Sequence, residues 1–433
     1  MSKTLIKIKN FFKVFGPGVI TGAADDDPSG IATYTQTGAK FGYGQLWTVI
    51  FMLPLMTAIQ EACARIGTVN GSGLAAVVKA NYSKKVLYTA VLLVVAANTI
   101  NIGADIGAIA AAAQLLIHVN FVILTLGFTA LILVLEIFTN YRVYSRILKW
   151  LALTLLAYPI TVFMVDQPWS TIISATFLPH VEFNFEFFFI ITGILGTTIS
   201  PYMFFWQASQ EVEEEKAQHL IKRYGRPGIG PKFIKNMRID NFVGMVFSEI
   251  ATWSIIVVAA TVLHQNGITN VESASDAAKA LEPLVKTFPN AGLLSKLIFA
   301  SGIIGLGLLS IPILSGSAAY ALSEAFNMKQ GLNLKLKKAH GFYGVITIAT
   351  LIGLMINFTG IDPIKALVFT AVFNGIAAVP LIFLIARIAR SKKIMGEYRS
   401  GWLSNTVVWI TFVVMLASAI AMFYTLAKNG QNG

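Results

Sequence analysis

Apolar runs follow one another along the chain from Gly16 to Leu426, separated by short polar stretches. A helix needs about twenty consecutive apolar residues to cross the hydrocarbon core of a bilayer, so this pattern predicts an all-α polytopic membrane protein. About eleven spans can be read by hydropathy: 15–39, 43–66, 85–118, 121–138, 145–166, 186–210, 239–264, 293–325, 340–358, 363–389 and 402–426. Residues 1–14 are basic and amphipathic and read as a cytoplasmic surface segment ahead of the first span; no small-residue cleavage site of a signal peptide follows them. The segment 272–288 has helical periodicity but is too polar to span, and is expected on the outer surface.

Two spans are interrupted by polar residues and a proline. In the first, Asp25, Asp26 and Asp27 stand in a row before Pro28, Ser29 and Gly30. In the sixth, Thr197, Thr198 and Ser200 precede Pro201. Proline lacks an N–H and clashes with the carbonyl four residues back, so each helix is expected to break there. A break frees backbone carbonyls, which membrane depth tolerates only beside protein or trapped water. Carboxylates are costly at that depth unless they face a polar cavity. Together they make a hard-oxygen cation site. The plainer reading of Asp27 is an N-cap for a helix starting at Pro28; one Asp suffices for a cap, and there are three. Spans one to five (15–166) and six to ten (186–389) each open on a broken helix. Paired interruptions in corresponding positions point to a transporter site. With five spans each, the two halves must insert with opposite orientations, and the span 402–426 is left over.

Composition narrows the picture. Of 433 residues, 55% are hydrophobic and 12% charged, which leaves no stretch that reads as a soluble domain. The net charge of +12 invites a nucleic-acid reading, but the cations concentrate in alternate loops. The loops 66–84, 139–149, 211–238, 326–339 and 390–401 carry Lys79, Lys84, Arg142, Arg146, Lys149, a cluster from Lys216 to Arg238, Lys329 to Lys338, Lys392, Lys393 and Arg399. Lys40, Lys279 and Lys286 are the main exceptions outside them. This bias predicts a cytoplasmic N-terminus and an extracellular C-terminus. The loop 211–238 is expected to be a solvated linker, and its GRPGIG lacks the preceding strand of a phosphate loop. The single cysteine, Cys63, excludes a disulfide framework and a thiolate cluster. The five histidines show no metal-ligand spacing, and no enzyme constellation emerges.

Other intramembrane polar residues are candidates for the pathway. Asn98, Asn101 and Asp105 share one helical face, as lining or as packing. Gln207 and Gln210 follow the second break and fit an inner pathway, while Glu61 and Arg65, four apart, read as a structural ion pair. Glu249 is a lone acid without an assigned role.

Several motifs in order resemble the Nramp family of divalent-metal transporters: GPG at 16–18, DP followed by two small residues, QEACARIGTVNGSGLA from Gln60, ADIGAI from Ala104 and GSAAYALSEAF from Gly316. The resemblance implies a LeuT-like fold, two inverted five-helix repeats plus one extra helix, with helices one and six unwound around the metal at mid-membrane. Asp27 matches the family's metal-binding aspartate. Ala24 and Thr197 match positions that offer backbone carbonyls. Asp105 matches a third-helix acid, and Asn374 lies near a polar ligand position across a one-residue gap.

The departures are informative. Where the family has DPGN this chain has DPSG, so Gly30 replaces a ligand asparagine; where it has MPH this chain has SPY, so Ser200 replaces the soft methionine and Tyr202 the histidine. The acid expected at 108 is Ala108, and the ninth span lacks the arginines of proton-coupled members. Thioethers select softer transition metals, while carboxylate, carbonyl and water suit magnesium, calcium or manganese. Magnesium keeps several waters, and two shortened ligands widen the site for a hydrated ion. Asp25 and Asp26 are then candidates to hold those waters. The chain resembles the magnesium-transporting branch related to Nramp proteins, which lacks the proton-coupling network. The expected activity is transport of Mg²⁺, with Mn²⁺ as the alternative, across the plasma membrane, without a cofactor, an obligate protein partner or nucleic acid. A proton-coupled manganese or iron transporter, an organic-solute symporter and a transport-inactive sensor are the competing readings.

Overall fold

Pro28 and Pro201 organise the computed structural model, which describes residues 17–138, 153–217, 219–220, 227–286, 290–332 and 334–430. The first helix, α1 (Pro17–Asp25), stops before Asp26, and α2 (Pro28–Phe41) starts at the proline. Asp27 between them has an extended backbone, φ −65° and ψ 173°, and its side chain caps α2 by accepting from the Gly30 N–H. The cap reading of Asp27 and the break are therefore one feature. Downstream come α3 (Trp47–Asn70), α4 (Leu74–Asn81), α5 (Lys84–Gln114), α6 (Phe121–Phe138), α7 (Ala157–Met164) and α8 (Trp169–Phe177).

The second interruption separates α9 (Phe185–Thr198) from α10 (Pro201–Ala217). Pro201 brings no N–H to the carbonyls it faces, and the Ser200 hydroxyl takes over, donating to Gly196 O at 2.6 Å and Thr197 O at 2.7 Å. The chain continues through α11 (Pro231–Val262), two short helices α12 (Ala274–Lys279) and α13 (Glu282–Val285), then α14 (Ala291–Ala325), α15 (His340–Ile356), α16 (Pro363–Arg390), α17 (Lys392–Met395) and α18 (Trp402–Gly430).

Three stretches read from sequence as loops hold helices: α4, α8 and the ends of the 211–238 segment, into which α10 and α11 extend. At its start that segment is not the solvated linker expected, whereas Lys216, Lys232, Lys235 and Arg238 are exposed as expected, and 218 and 221–226 lie outside the described residues. Glu211, Glu213 and Glu215 are buried because α10 packs on α3 and α14; Gln207 donates to Glu211 at 2.8 Å and Lys216 pairs with Glu213 at 3.0 Å, while the Glu215 carboxylate forms no hydrogen bond. The segment read as periodic but too polar to span holds the short helices α12 and α13, which lie against α14.

Among the described residues, eight helices are long and apolar enough to cross a membrane, with the α9–α10 pair counted as one, and His340–Ile356 is a shorter apolar helix. The halves of the first span, 9 and 14 residues, are each too short alone. The expected segment 1–14, the cations Arg142, Arg146 and Lys149, and the start of the span 145–166 lie outside the described residues.

α11 cradles both halves of the first span, α5 packs on α14, α15 and α16, and α18 covers α9 and α16. Where backbones touch, the sequence supplies glycine: a Cβ on Gly22 would run into the Gly244 carbonyl of α11, and one on Gly196 into Ala371 and Gly375 of α16. Leu92, Phe163 and Met355 are exposed on the outside, as lipid-facing residues would be.

Candidate functional site

Asp27 sits where α2 begins and is 1% exposed. Its Oδ1 accepts from the Ser29 hydroxyl at 2.6 Å and the Gly30 N–H at 2.9 Å. Its Oδ2 faces the bundle, accepting from Asn101 Nδ2 at 3.1 Å and lying 3.5 Å from the Tyr202 hydroxyl. Tyr202 also donates to the Ala24 carbonyl at 2.9 Å, joining the last turn of α1 to α10. The second break closes on the first through Ser29 and Thr197, whose hydroxyls are 3.2 Å apart. Gly30 lies in this joint: a Cβ there would sit 3.2 Å from the Tyr34 ring and 3.3 Å from both Asp25 O and Thr197 Oγ1.

On the opposite side of the break a second acidic group faces α11. Ser248 donates a short hydrogen bond to Asp25, and Ser248 and Thr252 lie 3.5 and 3.4 Å from Asp26 Oδ1. Glu249 stands beside them, buried, with both carboxylate oxygens unpartnered; Asp25 Oδ1 is likewise unpartnered. Ser248 and Thr252 were not among the candidates, although polar residues at i and i+4 flanking the acid of an apolar span are a readable signal.

The polar face of α5 divides. Asn101 points to Asp27, whereas Asn98 donates to Leu314 O at 2.9 Å and Asp105 accepts from Ser310 at 2.7 Å, both on α14. Gln207 fastens α10 to α1, accepting from Thr21 at 2.5 Å. Asn374 is buried on α16 and forms no hydrogen bond to residues of the break. Ser200 turns its hydroxyl onto the last turn of α9 and forms no hydrogen bond to Asp27. The Ala24 and Thr197 carbonyls each already accept a hydroxyl, which leaves each one free lone pair.

Among the described residues, no cation is ion-paired to Asp25, Asp26, Asp27, Asp105 or Glu249. Nor does any group of three or more His, Cys, Asp or Glu stand close enough to grip a bare metal. The Glu61–Arg65 pair forms as the spacing suggests, 2.9 Å apart; Arg65 also donates to Tyr398 O, and Arg238 reaches Glu61 at 2.8 Å. It staples helix ends rather than serving the break.

A cavity of about 410 Å³ between α2, α9 and α16 is lined by Gln36, whose amide donates to Asn270 and accepts from Val271 N–H, both at 2.9 Å, and by the Lys40–Glu186 pair, 2.9 Å apart; no residue of either break lines it. The start of α1 is clamped to α11 by Gly18 N–H on Asp240 at 2.7 Å.

A family model described as Natural resistance-associated macrophage protein-like, Nramp, matches residues 18–425. The chain belongs to the Nramp family. This Nramp chain is 26% identical over 432 residues to the divalent metal cation transporter MntH of Caldanaerobacter subterraneus, covering 97% of this chain and 95% of that protein. It is 26% identical over 417 residues to MntH of Agrobacterium fabrum, covering 93% and 85%. Its fold matches the crystal structure of the Eremococcus coleocola manganese transporter with a TM-score of 0.72 at 15% identity, over 96% of this chain and 87% of that one. The nucleobase-cation-symport-1 transporter Mhp1 matches with a TM-score of 0.57 at 13% identity, over 96% and 93%. The shared fold is that of Nramp and LeuT-type transporters.

Proposed function

We propose that this Nramp-family chain is a plasma-membrane transporter, not an enzyme, that carries a hard divalent cation, magnesium, by alternating access and without proton coupling. The observation that carries the reading is the chemistry around Asp27. Every side chain that hydrogen-bonds there is a hydroxyl, a phenol or an amide: Ser29, Asn101 and Tyr202, with Thr197 beyond. No thioether or imidazole is among them, and Met203 packs in an apolar cluster with Ile102, Ile106 and Leu309. Such a donor set suits a hard ion. Among the described residues no three carboxylates stand together as a metal-holding group, which suits magnesium held by one or two carboxylates and retaining its waters. Asp27 is the one carboxylate at the joint of both breaks; Asp25, Asp26 and Glu249 hold waters or attract the cation from the α11 side. The halves 15–166 and 186–389 act as the two inverted repeats, with about eleven spans and a cytoplasmic N-terminus.

Proton coupling needs a titratable relay. Tyr202 stands where the family has histidine, and tyrosine's ordinary pKa of about 10 is far from neutrality. A second reading, transport of manganese, is favoured by the relatives: the Eremococcus coleocola protein is a manganese transporter.

Uptake into liposomes holding the pure protein separates these readings. Magnesium and manganese are compared at several internal pH values under a potassium–valinomycin potential. Magnesium uptake without internal acidification is expected. Micromolar manganese outcompeting millimolar magnesium, or acidification that scales with cation and vanishes in Asp27→Ala, would overturn the magnesium or the uncoupled half respectively.

A further inference from the structure

Away from the transport pathway, α5 and α16 enclose a groove on the outside of the bundle. It has a volume of about 400 Å³ and is lined by Ala90, Leu93, Pro380 and Leu384, with Tyr82, Lys85 and Arg387 at one end. Pro380 lies inside α16 and removes a helical hydrogen bond at the groove wall. From Lys85 to Leu93 the groove follows α5 for about 12 Å, from the helix end toward the bilayer interior.

Its charge is one-sided. Lys85 and Arg387 are exposed, and among the described residues neither has an ion-pair partner. Arg387 is held over the Phe383 ring, 5.9 Å from its centroid, so its planar fork is preset rather than freely swinging. Lys84, Arg390, Lys392 and Lys393 extend the cationic field at the same helix ends. By the distribution of cations this is the cytoplasmic side, the leaflet where anionic lipids reside.

An apolar trough that starts at two unpaired cations matches one class of molecule, an amphiphile with an anionic head and a hydrocarbon tail. We propose that this groove is a binding site for a single anionic phospholipid, whose phosphate is held by Lys85 and Arg387, with the Tyr82 hydroxyl beside it, and whose acyl chain lies along Ala90, Leu93 and Leu384. A free inorganic anion would use the cations but leave the trough empty. A zwitterionic lipid would fill the trough but carry no net charge to the cations. The site is independent of the ion carried at Asp27, since none of its residues belongs to the break.

Native mass spectrometry of the full-length protein, with phosphatidylglycerol and phosphatidylcholine of identical chains, tests this. One phosphatidylglycerol is expected to be retained with about tenfold or greater preference. Lys85→Gln with Arg387→Gln is expected to bring the two lipids within about twofold, while the charge-matched control Lys392→Gln with Lys393→Gln keeps the preference. Thermal unfolding of each variant in detergent checks that it is folded, and single Lys85→Gln, expected to lose part of the preference, serves if the double variant is not. Equal retention of both lipids by the unmodified protein, or equal loss in the control pair, overturns the site in favour of diffuse attraction. Displacement of the lipid by millimolar inorganic phosphate overturns the role of the trough.

Discussion

Replacing Asp27 by asparagine separates its role as a helix cap from its role as a charge. The carboxylate caps α2 through Gly30 N–H at 2.9 Å and accepts from Ser29 and Asn101. Alanine would strand these buried donors at about 1–3 kcal/mol each and remove a cap worth about 1 kcal/mol, so a loss of transport in Asp27→Ala has two causes. Asparagine caps as well as aspartate. Its amide nitrogen would meet Asn101 Nδ2, but the Asn101 Oδ1 is unpartnered and a flip of that amide restores the hydrogen bond. The stability of Asp27→Asn is therefore expected within about 1 kcal/mol of the parent. The ion loses far more. Unit charges 4 Å apart attract by about 4 kcal/mol at an effective dielectric constant near 20. A divalent ion doubles this and an intervening water reduces it, so several kcal/mol remain, at least about a hundredfold in affinity. The assay pairs thermal unfolding in detergent with magnesium uptake into liposomes. Unfolding like the parent with uptake within about threefold of it would refute the assignment of Asp27 as the ion's carboxylate.

Four further outcomes are expected. Ser200→Met should shift uptake from magnesium toward manganese by supplying a soft donor, while costing about 1–3 kcal/mol because the Gly196 and Thr197 carbonyls lose their hydroxyl partner; thermal unfolding and competition uptake read both, and an unchanged ion preference counts against the ligand reading. Gly22→Ala should destabilise by about 1–3 kcal/mol through overpacking against Gly244, and an unchanged unfolding temperature would show that α1 can move away from α11. Arg65→Met should cost about 3 kcal/mol or somewhat less than a typical broken buried pair, since Glu61 keeps Arg238, and thermal unfolding measures it with ion selectivity unaltered. Burial pushes the Asp276 carboxyl up, but hydrogen bonds from Lys279 and Ser273 outweigh it and hold the group below its ordinary value. Its contribution to α12 is therefore full above pH of about 4 and lost as pH falls through the lowered folded value; the protection of the 273–281 amides relative to the unfolded chain at the same pH should fall only in that acid range.

Much of the helix pattern was legible because lipid imposes one rule on every span: apolar residues of bilayer length with all backbone groups satisfied within the helix. The predicted 121–138 and 363–389 differ from the helices Phe121–Phe138 and Pro363–Arg390 by at most one residue. Both breaks were legible for an equally local reason, a proline after short polar residues. The buried glutamates of 211–215 and the helix Leu74–Asn81 were not, since burial of a polar segment depends on which elements cover it, and α3 and α14 come to lie over α10 only on folding.

The site shows the same division. That three aspartates interrupt an apolar helix is a property of the sequence, and so is the absence of a methionine or histidine beside Pro201. The directions of the three are a property of the fold. Asp27 turns inward to Asn101 and Tyr202, while Asp25 and Asp26 face Ser248 and Thr252 with Glu249 alongside. No periodicity encodes this, because consecutive residues at a broken helix follow no fixed rotation. Ser200 was a candidate ligand by position, yet its hydroxyl bonds the carbonyls that its own break exposes. Sequence determined which chemical groups interrupt the apolar helices; tertiary packing decided which of them face one another, because buried hydrogen-bonding capacity is satisfied by the nearest partner in space.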